Sequence, residues 1–245
     1  MSHPYAGYPI FLALSLLASQ TGAQTPVTDS LPPTGQRLVA YFASELKADA
    51  HLYTGKEFVP YASNIKGDPF FEPSAMQNQQ FEVFYDGTLY KDLPLRYDVV
   101  SQGIITQRYG SGEELLLLNE KIKYFILSGH RFENVFSILG KDGAVTNTFF
   151  EILTEGTATV MAKRIKHIKS GLRTEDPTHF VEEDQFFIRE QNNLYPVDGK
   201  TSLLLAFADK APAVKSFIRK NRLRFKKKLE EDLIMTANYY SSLNK

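Results

Sequence analysis

The stretch that decides the fold class of this 245-residue chain is FEVFYDGTLY, residues 81–90. Two aromatic-rich runs flank Asp86 and Gly87. Both turn residues tolerate positive φ, which a two-residue hairpin turn requires. The stretch therefore predicts two antiparallel strands joined by a tight turn.

Short apolar or alternating runs, separated by turn residues, continue on both sides of this hairpin. They predict further strands at 93–100, 104–109, 113–118, 121–127, 134–140, 146–154, 157–164, 185–189 and 194–197. Ten-residue helical patterns do not separate these runs, so a parallel, doubly wound sheet is not expected. We predict a curved, antiparallel β-meander, of which an open half-barrel around an apolar cavity is one version.

Helical spacing appears before and after the β region. Residues 35–50 repeat apolar side chains every four positions, which predicts an N-terminal helix. Three more helices are expected at 201–208, at 209–221 with Asp209 as N-cap, and at 226–243. The predicted fold is α+β, with a domain at 35–200 and a helical segment at 201–245 packed on it.

The N-terminus resembles an export signal. The run IFLALSLLA, residues 10–18, is too short for a bilayer span and is followed by small residues at 21–23. We interpret 1–23 as a signal peptide and the Pro-rich segment 24–34 as a flexible lead-in. A membrane anchor or a buried helix at 1–23 is the alternative.

Composition excludes several classes of function. The chain has no Cys, which rules out disulfides, thiolate metal sites and cysteine nucleophiles. Its formal net charge of +0 argues against a uniformly basic nucleic-acid binder. A hydrophobic share of 43% and a charged share of 23% are those of an ordinary globular protein.

Familiar catalytic motifs are missing from the sequence. There is no G-x-S-x-G elbow, Walker loop, GxGxxG fingerprint, EF-hand loop or HExxH pair. His130 is expected in an inter-strand loop, where local hydrogen bonding is favoured over a catalytic role. Neighbouring acids on one strand point to opposite faces, so the acidic runs 113–114, 182–184 and 230–232 do not by themselves form a hydrolytic carboxylate dyad. They are interpreted as solvated faces and as charge at a helix N-terminus.

Charge is distributed unevenly along the chain. Residues 210–228 contain nine basic and no acidic side chains, whereas residues 24–209 have a net charge of −7. Such a patch could bind anionic lipid or an acidic partner. The alternatives are a solvated surface and docking on the acidic β region of the same chain. The predicted anion- or partner-binding residues are Arg219, Lys220, Arg222, Arg224, Lys226, Lys227 and Lys228.

Several motifs occur in an order that resembles a family of uncharacterised secreted proteins from Bacteroidetes-type bacteria. They are HLYTGKEF (51–58), GDPFF (67–71), YDG (85–87), LPLRYD (93–98), LN (118–119), FF (149–150), EG (155–156), DQFFI (184–188), SFIRKN (216–221) and YY (239–240). The resemblance spans residues 35 to 245 and implies export to the periplasm or cell envelope. It implies no catalytic residues.

These observations predict an exported, non-enzymatic cell-envelope protein that acts as an interaction or accessory module. The alternative is a periplasmic carrier of an apolar or lipid ligand held in a β-sheet cavity. We expect no cofactor, no catalytic or metal site, no nucleic-acid partner and no transmembrane span in the mature chain. The expected partners are anionic lipid or another envelope protein.

Overall fold

A computed structural model describes residues 52–72, 81–108, 110–138, 145–171, 176–190 and 193–243. The predicted signal peptide (1–23), lead-in (24–34) and N-terminal helix (35–50) lie outside these ranges. Among the described residues, no helix has both the length and the apolar character needed to cross a membrane.

Strands dominate the described part of the chain, and its helices follow them. The strands are β1 (Lys56–Glu57), β2 (Glu82–Tyr85), β3 (Thr88–Lys91), β4 (Leu95–Asp98), β5 (Gly103–Gln107), β6 (Glu114–Leu116), β7 (Ile122–Leu127), β8 (His130–Ile138), β9 (Val145–Thr154), β10 (Ala158–Lys163), β11 (Lys166–Lys169), β12 (His179–Glu182), β13 (Gln185–Glu190) and β14 (Asn193–Val197). The α-helices are α1 (Lys200–Ala206), α2 (Ala211–Lys220) and α3 (Leu229–Ser242). Two 3-10 turns occur at Asn119–Lys121 and Ala208–Lys210.

The strands form three antiparallel sheets, so the predicted α+β class with an antiparallel meander is confirmed. The largest sheet has the order β14-β13-β10-β9-β8-β7-β2-β3. A four-stranded sheet has the order β1-β6-β5-β4, and β11 and β12 form a separate hairpin. The eight-stranded sheet is open, with β14 and β3 at its edges.

The deciding hairpin forms as predicted. β2 and β3 pair from Glu82 opposite Lys91 to Tyr85 opposite Thr88. Asp86 and Gly87 have φ values of 50° and 83°, which is the left-handed pair that a type I′ turn needs. Local turn chemistry and strand alternation therefore agree at this site.

An aromatic core joins the four-stranded sheet to one end of the large sheet. Phe125 and Phe132 stack with ring centroids 4.7 Å apart. The ring of Tyr97, from β4, meets both of them edge-on at 5.2 Å. Aromatic pairs of this geometry contribute roughly 0.5–1.5 kcal/mol beyond their buried area.

A second core holds the three helices against the other end of the large sheet. Its buried side chains include Val160 and Ile188 from the sheet and Ile218 and Leu233 from α2 and α3. α1 has only seven residues and would be marginal in isolation. Packing on the sheet is therefore what stabilises the helical segment.

Two predicted details of the helical segment and two of the β region are wrong. Asp209 does not cap α2; Lys210 stands at that position without a side-chain cap, and Asp209 instead accepts a hydrogen bond from the hydroxyl of Tyr240. The third helix begins at Leu229, so Lys226, Lys227 and Lys228 precede it. The β11–β12 hairpin was not predicted from the sequence. His130 was predicted to lie in a loop, whereas this residue begins β8.

Candidate anion-binding site

The seven predicted basic residues lie at the end of α2 and in the segment that joins α2 to α3. Arg219 and Lys220 occupy the last turn of α2, where cations stabilise the negative end of the helix dipole. The other five lie within residues 222–228, and all seven side chains are exposed. We call residues 221–228 the basic connection.

The start of the basic connection is a tight helix C-terminus. The N–H of Leu223 donates to the carbonyl of Ile218 (3.1 Å), and the N–H of Arg222 donates to the carbonyl of Arg219 (3.2 Å). This is the Schellman arrangement, whose left-handed position usually holds glycine. Here it holds Arg222, with φ 57°. A non-glycine residue in that conformation costs about 1–2 kcal/mol.

Asp232 fixes the other end of the basic connection. Its carboxylate Oδ2 accepts hydrogen bonds from the backbone N–H groups of Arg224 (3.0 Å) and Phe225 (2.9 Å). Phe225 is buried and has φ 55°, a second strained non-glycine position. Because both ends are hydrogen-bonded, the backbone that carries these cations has one defined path.

Two hollows open beside the basic connection. The first has a volume of about 590 Å³ and is lined by Lys200, Pro212, Lys215, Ser216, Ile218, Arg219, Arg222, Leu223 and Arg224. The second has a volume of about 370 Å³ and is lined by Arg222, Arg224, Lys226, Lys227, Lys228 and Asp232. Arg222 and Arg224 belong to both, whereas Lys220 lines neither.

The arginines of this surface differ from the other described arginines in that they lack acidic partners. The five described arginines of the β region each form an ion pair with a carboxylate; they are Arg96, Arg108, Arg131, Arg164 and Arg189. Arg219, Arg222 and Arg224 form no ion pair or side-chain hydrogen bond with any described residue. Their guanidinium groups are therefore available to an external anion.

Among the three lysines of the basic connection, Lys228 has an acidic neighbour. Its Nζ lies 2.7 Å from Oε2 of Glu231, and this hydrogen bond raises the pKa of Lys228. Both groups are exposed, and exposed pairs contribute little. The alternative role, docking of this stretch on acids of the β region, is not seen among the described residues.

Two cations of the first hollow were not among the predicted site residues. Lys215 precedes Arg219 by four positions within α2, which is the spacing of one helix face. That spacing is visible in the sequence and could have identified Lys215. Lys200 begins α1 and reaches the hollow only because α1 and α2 fold beside each other, so no local pattern points to it.

A second charged cluster surrounds Arg164, next to β10. The guanidinium Nε lies 2.6 Å from Glu151, and Nη1 lies 2.6 Å from Asp184 and 2.8 Å from Glu230. Burial alone would lower the pKa of Arg164, but the hydrogen bond to Glu230 and the neighbouring carboxylates raise it above its ordinary value. The cluster connects the large sheet to the first turn of α3.

His130 forms a histidine–acid pair on the other side of the same cluster. Its Nδ1 lies 2.5 Å from Oε1 of the buried Glu151, whose second oxygen is bound by Arg164. A hollow of about 220 Å³ beside Arg164 is lined by Lys166 and Asp184, but neither His130 nor Glu151 is part of that lining. His130 begins β8 and Glu151 lies on β9, so the pair links two neighbouring strands beside the hollow that Arg164 lines.

Metal ligation finds no support within the described ranges, where no group of three or more His, Asp or Glu side chains could hold an ion. The comparisons with known proteins add no homologue. No family model, no curated protein and no solved structure matches this chain.

Proposed function

We propose that the protein is an exported interaction module of the cell envelope that binds anionic lipid surfaces through the basic connection. The observation that carries this proposal is the set of unpaired guanidinium groups at Arg219, Arg222 and Arg224, in contrast to the five paired arginines elsewhere in the described ranges. Export rests on the apolar run at residues 10–18. The proposed function of the protein is binding, with no catalytic activity.

The number of cations agrees with reversible binding to a membrane surface. A basic residue close to an anionic leaflet contributes about 1 kcal/mol, and the attraction falls off within a Debye length. The seven predicted residues include one lysine, Lys228, that shares its charge with Glu231. Several unshared cations are enough for tight binding at low salt and for release as the salt concentration rises.

The hydrogen bonds that hold the basic connection favour a structured binding surface rather than a disordered basic segment. Asp232 holds the N–H groups of Arg224 and Phe225, and Arg164 fixes the first turn of α3 through Glu230. The cations are therefore presented on an ordered backbone. Less conformational entropy is lost on binding than for a disordered segment.

The alternative function, carriage of an apolar ligand, finds less support. Where the helices meet the large sheet, the interface is filled by buried side chains such as Phe207, Val214 and Leu233. A carrier needs an apolar cavity at such a position. A hollow of about 610 Å³ does open where β13 and β14 meet the first residues of α1 and α3; it is lined by Phe186, Phe187, Pro196, Val197 and Leu229 and also by Asp184, Gln185, Asp198 and Ser202. Because this lining is partly polar, carriage of an apolar ligand in this hollow stays the second proposal.

Co-sedimentation with vesicles tests the proposal on the full-length mature chain. We expect binding to vesicles of phosphatidylglycerol and phosphatidylcholine, little binding to phosphatidylcholine alone, and a steep decline with salt. The variant Lys226→Glu, Lys227→Glu and Lys228→Glu should lose most of this binding, at least tenfold in the partition coefficient.

A matched control variant distinguishes the effect of this surface from the effect of the protein's net charge. The variant Lys56→Glu, Lys66→Glu and Lys169→Glu changes three exposed lysines of the β region and alters the net charge equally. It should retain binding within about twofold. Equal losses in the two variants, or no binding of the native protein to anionic vesicles, would reject the proposal.

A further inference from the structure

The hollow formed by α1, α2 and the basic connection has the composition of a phosphate pocket. Its basic lining residues are Lys200, Lys215, Arg219, Arg222 and Arg224, and none of the described residues that line it is a carboxylate. Its volume of about 590 Å³ lies within the range of small-molecule sites. We infer that this hollow binds one compact anion that carries at least two phosphate groups.

The apolar floor of the hollow strengthens its attraction for an anion. Ile218 belongs to the core beneath the helices and is 2% exposed, and Leu223 is half-buried beside it. Charge interactions beside such packed apolar material are stronger than in open water, since the effective dielectric constant is lower. An anion seated on this floor is held more tightly than one on a freely solvated lysine patch.

The backbone that carries the arginines is held by contacts within the chain before any ligand arrives. Arg219 lies in the last turn of α2, Arg222 occupies the strained left-handed position, and the N–H of Arg224 is held by Asp232. Arginine pairs bidentately with phosphate oxygens, which adds direction to the charge attraction. A strained residue that presents an unpaired guanidinium is typical of a binding site, where such strain is concentrated.

The positive charge of the hollow favours a ligand that carries several negative charges. Five cations around one space repel each other, and a single carboxylate would offset only one of them. A group with two neighbouring phosphates brings enough negative charge to pair with several of them at once. The shared chemistry is that of a pyrophosphate or bisphosphate, whether free in solution or part of a lipid headgroup.

This inference rests on the proposed anion binding but is narrower, because it requires a saturable site of one ligand per chain. Calorimetric titration of the full-length mature chain with pyrophosphate tests it, with sulfate at equal ionic strength as the comparison anion. We expect a single saturable site for pyrophosphate, with at least tenfold weaker binding of sulfate.

Two variants locate that site. Lys215→Gln with Arg219→Gln changes exposed residues of the hollow and should weaken pyrophosphate binding at least tenfold. Lys226→Gln with Lys227→Gln removes the same charge from the neighbouring hollow and should change it less than threefold. Both variants should unfold at the same urea concentration as the native chain, since all four side chains are exposed.

The outcomes distinguish this pocket from the membrane proposal. Vesicle binding without saturable pyrophosphate binding, or equal losses in both variants, would overturn the pocket and leave the membrane proposal standing. Pyrophosphate binding without vesicle binding would support the pocket with a free phosphate compound as its ligand and reject the membrane proposal. If both are observed and pyrophosphate displaces the protein from vesicles, the ligand is the headgroup.

Discussion

The carboxylate of Asp232 accepts a hydrogen bond of 2.9 Å from the backbone N–H of Phe225, seven residues earlier in the chain. Both residues are buried, and Phe225 has φ 55°. A single acid in the first turn of α3 thus fixes the strained segment that displays the exposed cations. Stability and the geometry of the candidate site depend on the same contact.

Replacement of Asp232 should destabilise the protein more than replacement of its exposed neighbour. Asp232→Ala leaves the N–H groups of Arg224 and Phe225 without their partner, and each such loss costs about 1–3 kcal/mol. Asp232→Asn keeps one acceptor oxygen and should cost less. Urea unfolding measures the difference. Glu231→Ala is the control and should cost under about 1 kcal/mol; an equal cost for Asp232→Ala would contradict the proposed clamp.

Glycine at position 222 should stabilise the fold while weakening anion binding. Arg222 adopts φ 57° at the end of α2, a conformation that glycine adopts without steric cost. We expect Arg222→Gly to raise the free energy of unfolding by up to about 1 kcal/mol. Arg222→Ala removes the same charge but keeps the strain, so its stability should stay near that of the native chain. A loss of stability in the glycine variant would refute this explanation.

Removal of Arg164 should be one of the most damaging single changes. Its partner Glu151 has a side chain that is 4% exposed, so Arg164→Met leaves this buried carboxylate with His130 as its remaining described partner and removes the cation that Asp184 and Glu230 share. We expect a loss of about 3–5 kcal/mol in unfolding free energy. Arg108→Met breaks an exposed pair with Glu113 and should cost less than about 1 kcal/mol. Similar losses in the two variants would show that the cluster is not a stabilising junction.

The ionisation of Tyr61 should lower the stability of the protein at alkaline pH. Burial, followed by the hydrogen bond from its hydroxyl to Asp98 (2.9 Å), raises the pKa of Tyr61 to about 12 from an ordinary 10.0. The folded state therefore binds this proton more tightly than the unfolded state. Its contribution to stability is complete below pH 10 and is lost as the pH rises towards 12.

Phenolate absorbance checks this assignment. The difference between the titrations of the native chain and of Tyr61→Phe should show one tyrosine ionising near pH 12. Across the same range, the decline in unfolding free energy should be shallower for the phenylalanine variant. Ionisation of Tyr61 near its ordinary pKa would mean that its hydroxyl is solvated and not bound to Asp98.

Local sequence signals predicted the elements whose causes are local. The turn at Asp86 and Gly87 formed as expected because its two residues satisfy the φ requirement by themselves. The start of the third helix was misplaced because the carboxylate of Asp232 accepts hydrogen bonds from the N–H groups of Arg224 and Phe225. These bonds hold the preceding segment outside the helix, which begins at Leu229. The β11–β12 hairpin was missed because half of it, Lys166–Lys169, is basic and largely exposed.

The candidate site was predicted in part. The run of cations from Arg219 to Lys228 is a property of composition and was visible at once. Lys200 was not, because its approach to Arg219 depends on the packing of α1 beside α2. The histidine–acid pair of His130 and Glu151 was also missed, since those residues stand 21 positions apart and meet only across paired strands.

The amino-acid sequence by itself determined the antiparallel β architecture, the helical C-terminal segment and the position of the basic residues. Turn-forming residues, hydrophobic periodicity and charge depend only on residues that are close together in the sequence. The tertiary structure decided which charges are neutralised. It placed carboxylates beside the five described arginines of the β region and left Arg219, Arg222 and Arg224 unpaired, because pairing depends on distances that only the folded chain sets.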